Sequence, residues 1–184
     1  MLIDEGEAID RLARGEVVAL PTDTVYGLAV ALNAPDATRA LFELKERPNT
    51  AALPVLIAEP TDAGAYAHFA VDLTRHWPGA LTIIGERTAL SEDWDLGGDD
   101  QTVGLRCPDD PAVRRIAAMV GPLATTSANK HGDVPCTTAS EVEDAFGDAI
   151  PVLDGGVRDA EPSTVVDATT LTTRVLREGS VVID

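Results

Sequence analysis

Two threonine hydroxyls, a carboxylate, a phenol and a glycine lie close together in residues 21–28, which read Pro-Thr-Asp-Thr-Val-Tyr-Gly-Leu. The apolar run before them, residues 17–20, predicts a short buried strand. Ligands in open α/β proteins bind where such strands end, so these side chains are candidates for ligand contacts. The same segment is equally compatible with a polar turn that closes over the core.

A pair of cations, Lys45 and Arg47, follows a predicted helix. Pro48 disfavours helical backbone at the residue before it, and in extended chain the side chains two positions apart point to the same side. Two cations that point the same way favour an anionic ligand. The alternative is that both only decorate a helix C-terminus, where the macrodipole favours positive charge.

Arginine and hydroxyl side chains also occur at the ends of later predicted strands. Arg106 ends the strand predicted at 102–106, and its guanidinium can either bind a carboxylate through two parallel hydrogen bonds or form a structural ion pair. Residues 125–129, Thr-Thr-Ser-Ala-Asn, can form an anion-binding nest or a capped turn. Ser163 and Thr164 repeat this arrangement, and Arg177 adds a cation near the end of the chain.

Hydrophobic spacing and capping residues predict the elements that position these side chains. Helices are expected between Asp4 and Gly15, between Asp36 and Pro48, and at 61–76, 110–120 and 138–146, with N-caps at Asp4, Asp36, Asp110 and Thr138. Strands are expected at 17–20, 29–32, 53–58, 80–84, 102–106, 123–126, 150–153, 163–167, 174–177 and 181–183, with an exposed loop at 86–101. The late run of strands predicts an α/β or α+β fold with a mixed, strongly twisted sheet.

Composition restricts the class of protein. The 184 residues predict a single domain over 1–184, and no apolar run approaches the roughly 20 residues of a membrane span. Acidic residues stand at the N-terminus where a signal peptide would be basic, so a cytoplasmic protein without membrane contact is expected. The net charge of −17 argues against a broad nucleic-acid-binding face without excluding a polyphosphate ligand.

Standard catalytic and metal-binding motifs are missing. The sequence has no P-loop, no Gly-x-Gly-x-x-Gly after a strand, no nucleophile elbow and no His-Glu-x-x-His, so nucleotide chemistry would need another cradle. Cys107 and Cys136 lack a Cys-x-x-Cys partner and are expected to be reduced and structural. No metal-binding residue is predicted.

The blocks described above, taken in order, resemble the YrdC-type threonylcarbamoyl-AMP synthase family from about residue 5 to about residue 180. The characteristic set of that family is a Lys-x-Arg after the first long helix and a Ser-x-Asn further on, here Lys45, Arg47, Ser127 and Asn129. The resemblance implies a YrdC-like twisted mixed β-sheet flanked by helices, with a concave ligand cavity.

The resemblance also implies a reaction. L-Threonine, bicarbonate or CO2, and ATP with Mg2+ would give threonylcarbamoyl-AMP and pyrophosphate, and a separate transferase complex would pass the threonylcarbamoyl group to an adenosine of tRNA. Lys45 and Arg47 are then expected to be catalytic and to bind ATP together with Thr102, Ser127, Asn129, Pro135 and Arg177. L-Threonine is expected to contact Thr24, Arg106, Thr125 and Ser163, and a direct contact with tRNA is a further expectation.

The chain departs from the family pattern at three places. Glu46 replaces a glycine between the two cations, Ala51-Ala52-Leu53 replaces a more polar Lys/Asn-Pro-Leu, and Lys130-His131 replaces Leu-Ser after the Ser-x-Asn. These departures leave a second hypothesis open, in which a divergent relative binds nucleotide or double-stranded RNA without synthase activity. A carbamoyl-transfer module like that of hydrogenase maturation proteins is a less favoured third hypothesis, because its accessory segments are absent from this sequence.

Overall fold

The computed structural model describes residues 1–34, 36–45, 52–130 and 132–183. Within these ranges the helices are α1 (Glu5–Ala13), α2 (Ala37–Leu44), α3 (Ala63–Tyr66), α4 (Pro111–Val120) and α5 (Ala139–Phe146). The strands are β1 (Leu2–Ile3), β2 (Val18–Pro21), β3 (Tyr26–Ala31), β4 (Val55–Leu56), β5 (Ala67–His68), β6 (Leu81–Arg87), β7 (Thr102–Arg106), β8 (Leu123–Ser127), β9 (Val152–Leu153), β10 (Thr164–Asp167) and β11 (Arg174–Arg177). None of the described helices is long and apolar enough to cross a bilayer.

The strands form one mixed sheet in the order β1-β9-β2-β3-β8-β4-β7-β6-β10-β11, and β5 pairs with β6 outside this path. β3 runs antiparallel to both β2 and β8, whereas β4 is parallel to β7 and β6 is parallel to β10. The predicted α/β class with a mixed sheet is therefore confirmed.

Helices cover both faces of this sheet. On one face α1 and α4 pack together and bury Leu12 and Ile116. On the other face α2 and α5 contribute Leu41 and Val142 to a second apolar cluster, in which β3 places Leu28. Because successive strand residues point to opposite faces, β3 supplies side chains to both clusters and is buried throughout.

Side-chain caps set the starts of three helices as predicted. The Asp4 carboxylate accepts a hydrogen bond at 2.8 Å from the amide three residues on, and one Asp110 oxygen accepts from two amides in the first turn of α4. The Thr138 hydroxyl caps α5 in the same way. The predicted Asp36 cap is wrong, because this residue has a left-handed backbone with φ of 57° and makes no cap hydrogen bond from its side chain.

The helix predicted at 61–76 is wrong as a continuous element. Its α-helical part is limited to α3, because the chain turns extended at Ala67 and pairs as β5 with the end of β6. Gly85 of β6 allows this close crossing, since a Cβ there would lie 2.6 Å from the backbone oxygen of His68. Phe69 then packs edge-on against Trp77. Tertiary pairing therefore overrides the local helical pattern.

Other boundaries also differ from the sequence predictions. The predicted strand at 53–58 is reduced to the two residues of β4, the one at 29–32 begins earlier as β3, and none forms at 181–183, where the backbone of Val181 bonds to the Thr164 hydroxyl. The loop predicted at 86–101 is not wholly exposed. Arg87 donates to the backbone oxygens of residues 91, 92, 94 and 102 and so holds the loop against the end of β6. Leu96 of this loop is buried, and its backbone oxygen accepts from the amide of Leu53.

Candidate active site

A cavity of about 330 Å³ opens over the middle strands of the sheet. Thr102, Gly104 and Arg106 of β7 line it together with Thr82 and Ile84 of β6, because alternate residues of a strand face the same side. The structure thereby gathers eight of the predicted site residues from distant parts of the chain: Thr24, Thr102, Arg106, Thr125, Ser127, Pro135, Ser163 and Arg177.

Lys45 and Asn129 are not among the described residues that line the cavity, but both contact Ser127, which is one of them. The ammonium of Lys45, which is only 5% exposed, donates to the backbone oxygens of Ser127 at 2.9 Å and Asn129 at 2.6 Å. It also donates to Asn129 Oδ1 at 2.8 Å, and Ser127 Oγ donates to the same oxygen at 2.6 Å. Lys45 thus fastens the Ser-x-Asn loop. Arg47, Glu46 and Pro48 lie outside the described residues.

Arg106 is held by three different groups at the cavity. Its Nε donates to the backbone oxygen of Gly79 at 3.1 Å, Nη1 to the Thr24 hydroxyl at 3.2 Å and Nη2 to the Asp23 carboxylate at 2.6 Å. The side chains of Arg106 and Asp23 are only 8% and 14% exposed. The structural ion pair considered from the sequence therefore exists. A guanidinium has five N–H donors, so donors remain for a ligand.

Arg177 supplies a second guanidinium to the same cavity from exposed β11. Its Nε and Nη2 donate to the backbone oxygen and hydroxyl of Ser163, at 2.9 and 3.0 Å. The pKa of Arg177 lies below its ordinary value, first because its guanidinium is partly buried and second because Arg106 repels it. The described lining contains no carboxylate. Two nearby guanidiniums in such a lining favour an anionic ligand.

The turn that carries Thr24 is fixed from both sides. Thr22 Oγ1 donates to the backbone oxygen of Val25 at 2.7 Å and lies 3.0 Å from the Thr24 hydroxyl. The backbone of residues 155–160 lies alongside, because the Ala160 amide donates to the Thr24 backbone oxygen at 3.1 Å. Tyr26 anchors this segment further by accepting from the amide of residue 155 and donating to the carbonyl of residue 156. The pKa of the Tyr26 phenol lies above its ordinary value, mainly because the phenol is buried.

Gly27 allows β3 to approach β8 closely at the cavity. A Cβ at this position would lie 2.9 Å from the hydroxyl oxygen of Thr125. That hydroxyl donates to the backbone oxygen of Leu28 at 3.1 Å. A larger residue at 27 would therefore displace a threonine of the cavity wall.

A family model for the Sua5, YciO and YrdC proteins, described as "Telomere recombination", matches residues 10–179. This chain belongs to the Sua5/YciO/YrdC family. The threonylcarbamoyl-AMP synthase of Chromohalobacter salexigens is 36% identical to it over 169 residues, which cover 88% of this chain and 90% of that protein. The threonylcarbamoyl-AMP synthase of Shigella flexneri is 34% identical over 181 residues and 94% of each chain.

A solved Sua5/YciO/YrdC structure has the same fold. The crystal structure of P. abyssi Sua5 complexed with L-threonine matches with a TM-score of 0.88 at 29% identity over 97% of this chain. The chain spans 57% of the length of that protein. The fold expected from the YrdC resemblance is therefore confirmed.

The departures from the family pattern fall partly within the described Sua5/YciO/YrdC fold. Ala52 and Leu53 line the cavity as part of an apolar wall, whereas Ala51 lies outside the described residues, as does His131. Lys130 is exposed, and its backbone oxygen accepts from the Asn129 side-chain amide at 2.9 Å. This hydrogen bond uses only the backbone of residue 130, so it does not depend on which side chain stands there.

Sequence reasoning missed Thr82 and Gly104 of the cavity lining. For Thr82 the strand periodicity was a usable signal, because Thr82 and Ile84 are two positions apart in a predicted strand and therefore face the same side of the sheet.

Within the described part of the chain, no group of three or more histidine, cysteine or acidic residues could hold a metal ion. Cys107 and Cys136 are buried free thiols, in agreement with their predicted structural role.

Proposed function

We propose that this chain is an L-threonylcarbamoyladenylate synthase, a nucleotidyltransferase that forms threonylcarbamoyl-AMP and pyrophosphate from L-threonine, bicarbonate or CO2, and ATP. The observation that carries the proposal is the cavity in which Arg106 and Arg177 meet a wall of hydroxyl groups without a carboxylate in the described lining. The synthase relatives that match nearly the whole chain support the same reaction.

The proposed reaction needs the carbamate and the α-phosphate of ATP to be aligned, and it needs no nucleophilic side chain because the carbamate is itself the nucleophile. The threonine amine and CO2 form a carbamate, whose oxygen attacks the α-phosphorus of ATP. A new P–O bond forms, the bond to the β-phosphate breaks, and pyrophosphate leaves with the electron pair. Holding two anions in line and compensating their charge supplies most of the rate enhancement in such a reaction.

The residues divide into two sets in this proposal. Arg106 binds the carboxylate of L-threonine with its remaining donors, and Thr24, Thr125 and Ser163 surround the amino acid. On the nucleotide side are Thr102, Ser127, Pro135 and Arg177, with Arg47 as a proposed phosphate ligand. Lys45 and Asn129 keep Ser127 in place, and a direct phosphate contact of either belongs to the proposal.

Magnesium enters the proposal only as a companion of ATP. Mg2+ prefers oxygen ligands, keeps several waters and is commonly bound through substrate phosphates with one or two carboxylates. The described lining offers hydroxyl groups and no carboxylate, so it does not form a protein magnesium site.

Delivery of the product to a threonylcarbamoyl transferase complex, a tRNA contact and a cytoplasmic location complete the proposal. The alternative hypothesis, a divergent relative that binds double-stranded RNA without synthase activity, is not favoured. The net charge is −17. Eight of the described arginines form ion pairs with carboxylates, and the seven of these that lie outside the cavity offer little charge to RNA phosphates: Arg11, Arg14, Arg39, Arg114, Arg115, Arg158 and Arg174.

The deciding experiment is incubation of the protein with ATP, L-threonine and labelled bicarbonate. The proposal requires a labelled AMP adduct and pyrophosphate release that both depend on threonine. Arg47→Ala should lose most synthesis and fold normally, whereas Arg39→Ala, which changes an exposed arginine, should retain it. An unchanged rate of pyrophosphate release in Arg47→Ala would remove Arg47 from the mechanism.

A further inference from the structure

Thr82 is a buried hydroxyl on the cavity side of β6. It is only 4% exposed, and it lines the cavity two residues before Ile84. Gly104 on the adjacent strand leaves room for it, because a Cβ at 104 would lie 3.2 Å from Thr82 Cγ2. A polar side chain in such a position needs a hydrogen-bond partner, since an unpaired buried hydroxyl is costly.

The hydrogen bonds around Thr82 leave one proton to place. Thr82 Oγ1 lies 2.9 Å from Ser163 Oγ, and Ser163 Oγ also accepts from Nη2 of Arg177 at 3.0 Å. A guanidinium can only donate, so the two hydroxyl groups retain both of their own protons. Their mutual hydrogen bond uses one proton. Among the described residues, neither Thr82 nor Ser163 has a hydrogen-bond acceptor for the second hydroxyl proton.

We propose that Thr82 is a substrate-binding residue, and that the Thr82–Ser163 pair presents one O–H donor to an anionic oxygen of a bound substrate. The inference rests on the proposed function. This O–H donor lies next to the guanidinium of Arg177, which is close enough to Arg106 to be repelled by its charge. Two cations beside the donor favour an anionic partner, so the oxygen that accepts from it belongs to a carboxylate or a phosphate. In this reaction those are the carboxylate of L-threonine and the phosphates of ATP.

Two substitutions separate hydrogen bonding from packing. Thr82→Val keeps the shape and removes the hydroxyl, whereas Thr82→Ser keeps the hydroxyl and removes a methyl group. Calorimetric titration with L-threonine and, separately, with ATP should show affinity for one of them reduced about tenfold in Thr82→Val and near wild type in Thr82→Ser. The ligand that loses affinity identifies the oxygen. Thr38→Val, which changes a buried threonine outside the cavity, should bind both ligands as the wild type does.

The outcomes that overturn the inference differ from those that overturn the function. If Thr82→Val binds both ligands with wild-type affinity, or if Thr82→Ser loses as much as Thr82→Val, the hydroxyl is not a ligand donor. Wild-type protein that binds both ligands but makes no threonylcarbamoyl-AMP refutes the proposed function and leaves the inference judged by binding. Wild-type protein that binds neither refutes both.

Discussion

Replacing Lys45 by methionine tests whether this lysine acts by holding the Ser-x-Asn loop. The substitution keeps a long unbranched side chain and removes the ammonium that donates to three oxygens of residues 127 and 129. The variant should be less stable, and Ser127 should lose its fixed place in the cavity wall. Lys130→Met is a matched control, because Lys130 is the other lysine of the chain and is exposed.

The size of the loss follows from these three contacts. Hydrogen bonds from a charged donor contribute about 1.5–3 kcal/mol each, and burying an ammonium costs several kcal/mol. Methionine removes the stabilisation by the three hydrogen bonds and also the cost of burying the ammonium. We therefore expect the free energy of unfolding to fall by a net amount of roughly 3 kcal/mol. For a chain of 184 residues, this loss corresponds to a fall in melting temperature of roughly 6–12 °C.

Urea denaturation and thermal melting measure this loss, and threonine-dependent pyrophosphate release measures its effect on activity. Lys130→Met should match the wild type in all three assays. If Lys45→Met melts with the wild type and loses only activity, Lys45 acts on the substrate and not on the loop, and the reasoning from its hydrogen bonds is refuted.

Three further predictions concern the rest of the site and the core. Asp23→Asn removes the charge that holds Arg106, so steady-state kinetics should show the KM for threonine raised about tenfold with the KM for ATP unchanged; unchanged kinetics would contradict this. Gly27→Ala places a methyl group 2.9 Å from a threonine hydroxyl of β8 and should destabilise the fold by about 1–3 kcal/mol in denaturant titrations, whereas Gly64→Ala, which meets no atom within 4 Å, should not. Burial raises the pKa of Cys107 from 9.0 to about 11. The stability that this thiol contributes is therefore complete below pH 9 and is lost as the pH rises through 11, by roughly 2–3 kcal/mol, and Cys107→Ala should flatten that decline.

Local signals in the sequence were sufficient for much of the fold. Asp110 followed by proline fixed the start of α4, and the apolar stripe of that helix predicted which side it buries. The strand predicted at 102–106 ends at Arg106 as β7 does, and the strand predicted at 123–126 extends one residue further as β8, to Ser127; the structure brings both residues to one cavity. These features depend on residues within a few positions of one another.

The missing features depend on partners far away in the chain. Asp23 and Arg106 are 83 positions apart, and Thr82 and Ser163 are 81 apart, so neither contact leaves a local pattern. Lys45 shows the same limit. Its sequence position at a helix end predicted a cation that either faces an anion or decorates the helix terminus. Neither alternative pointed to the backbone oxygens 82 and 84 positions later that its ammonium contacts, and a direct phosphate contact stays a prediction.

The acidity of the chain and its proposed anionic substrates are compatible because the two act over different distances. Charges more than about 8 Å apart in solvent are largely screened at physiological ionic strength, so a bound anion senses the cavity lining far more than the −17 of the whole chain. In that lining Arg106 is paired with Asp23, whereas Arg177 has only the oxygens of Ser163 as partners among the described residues. Under the proposed function, Arg177 is therefore the described lining cation whose charge is least compensated by carboxylates, so it should meet a phosphate of ATP while Asp23 holds Arg106 for the amino acid.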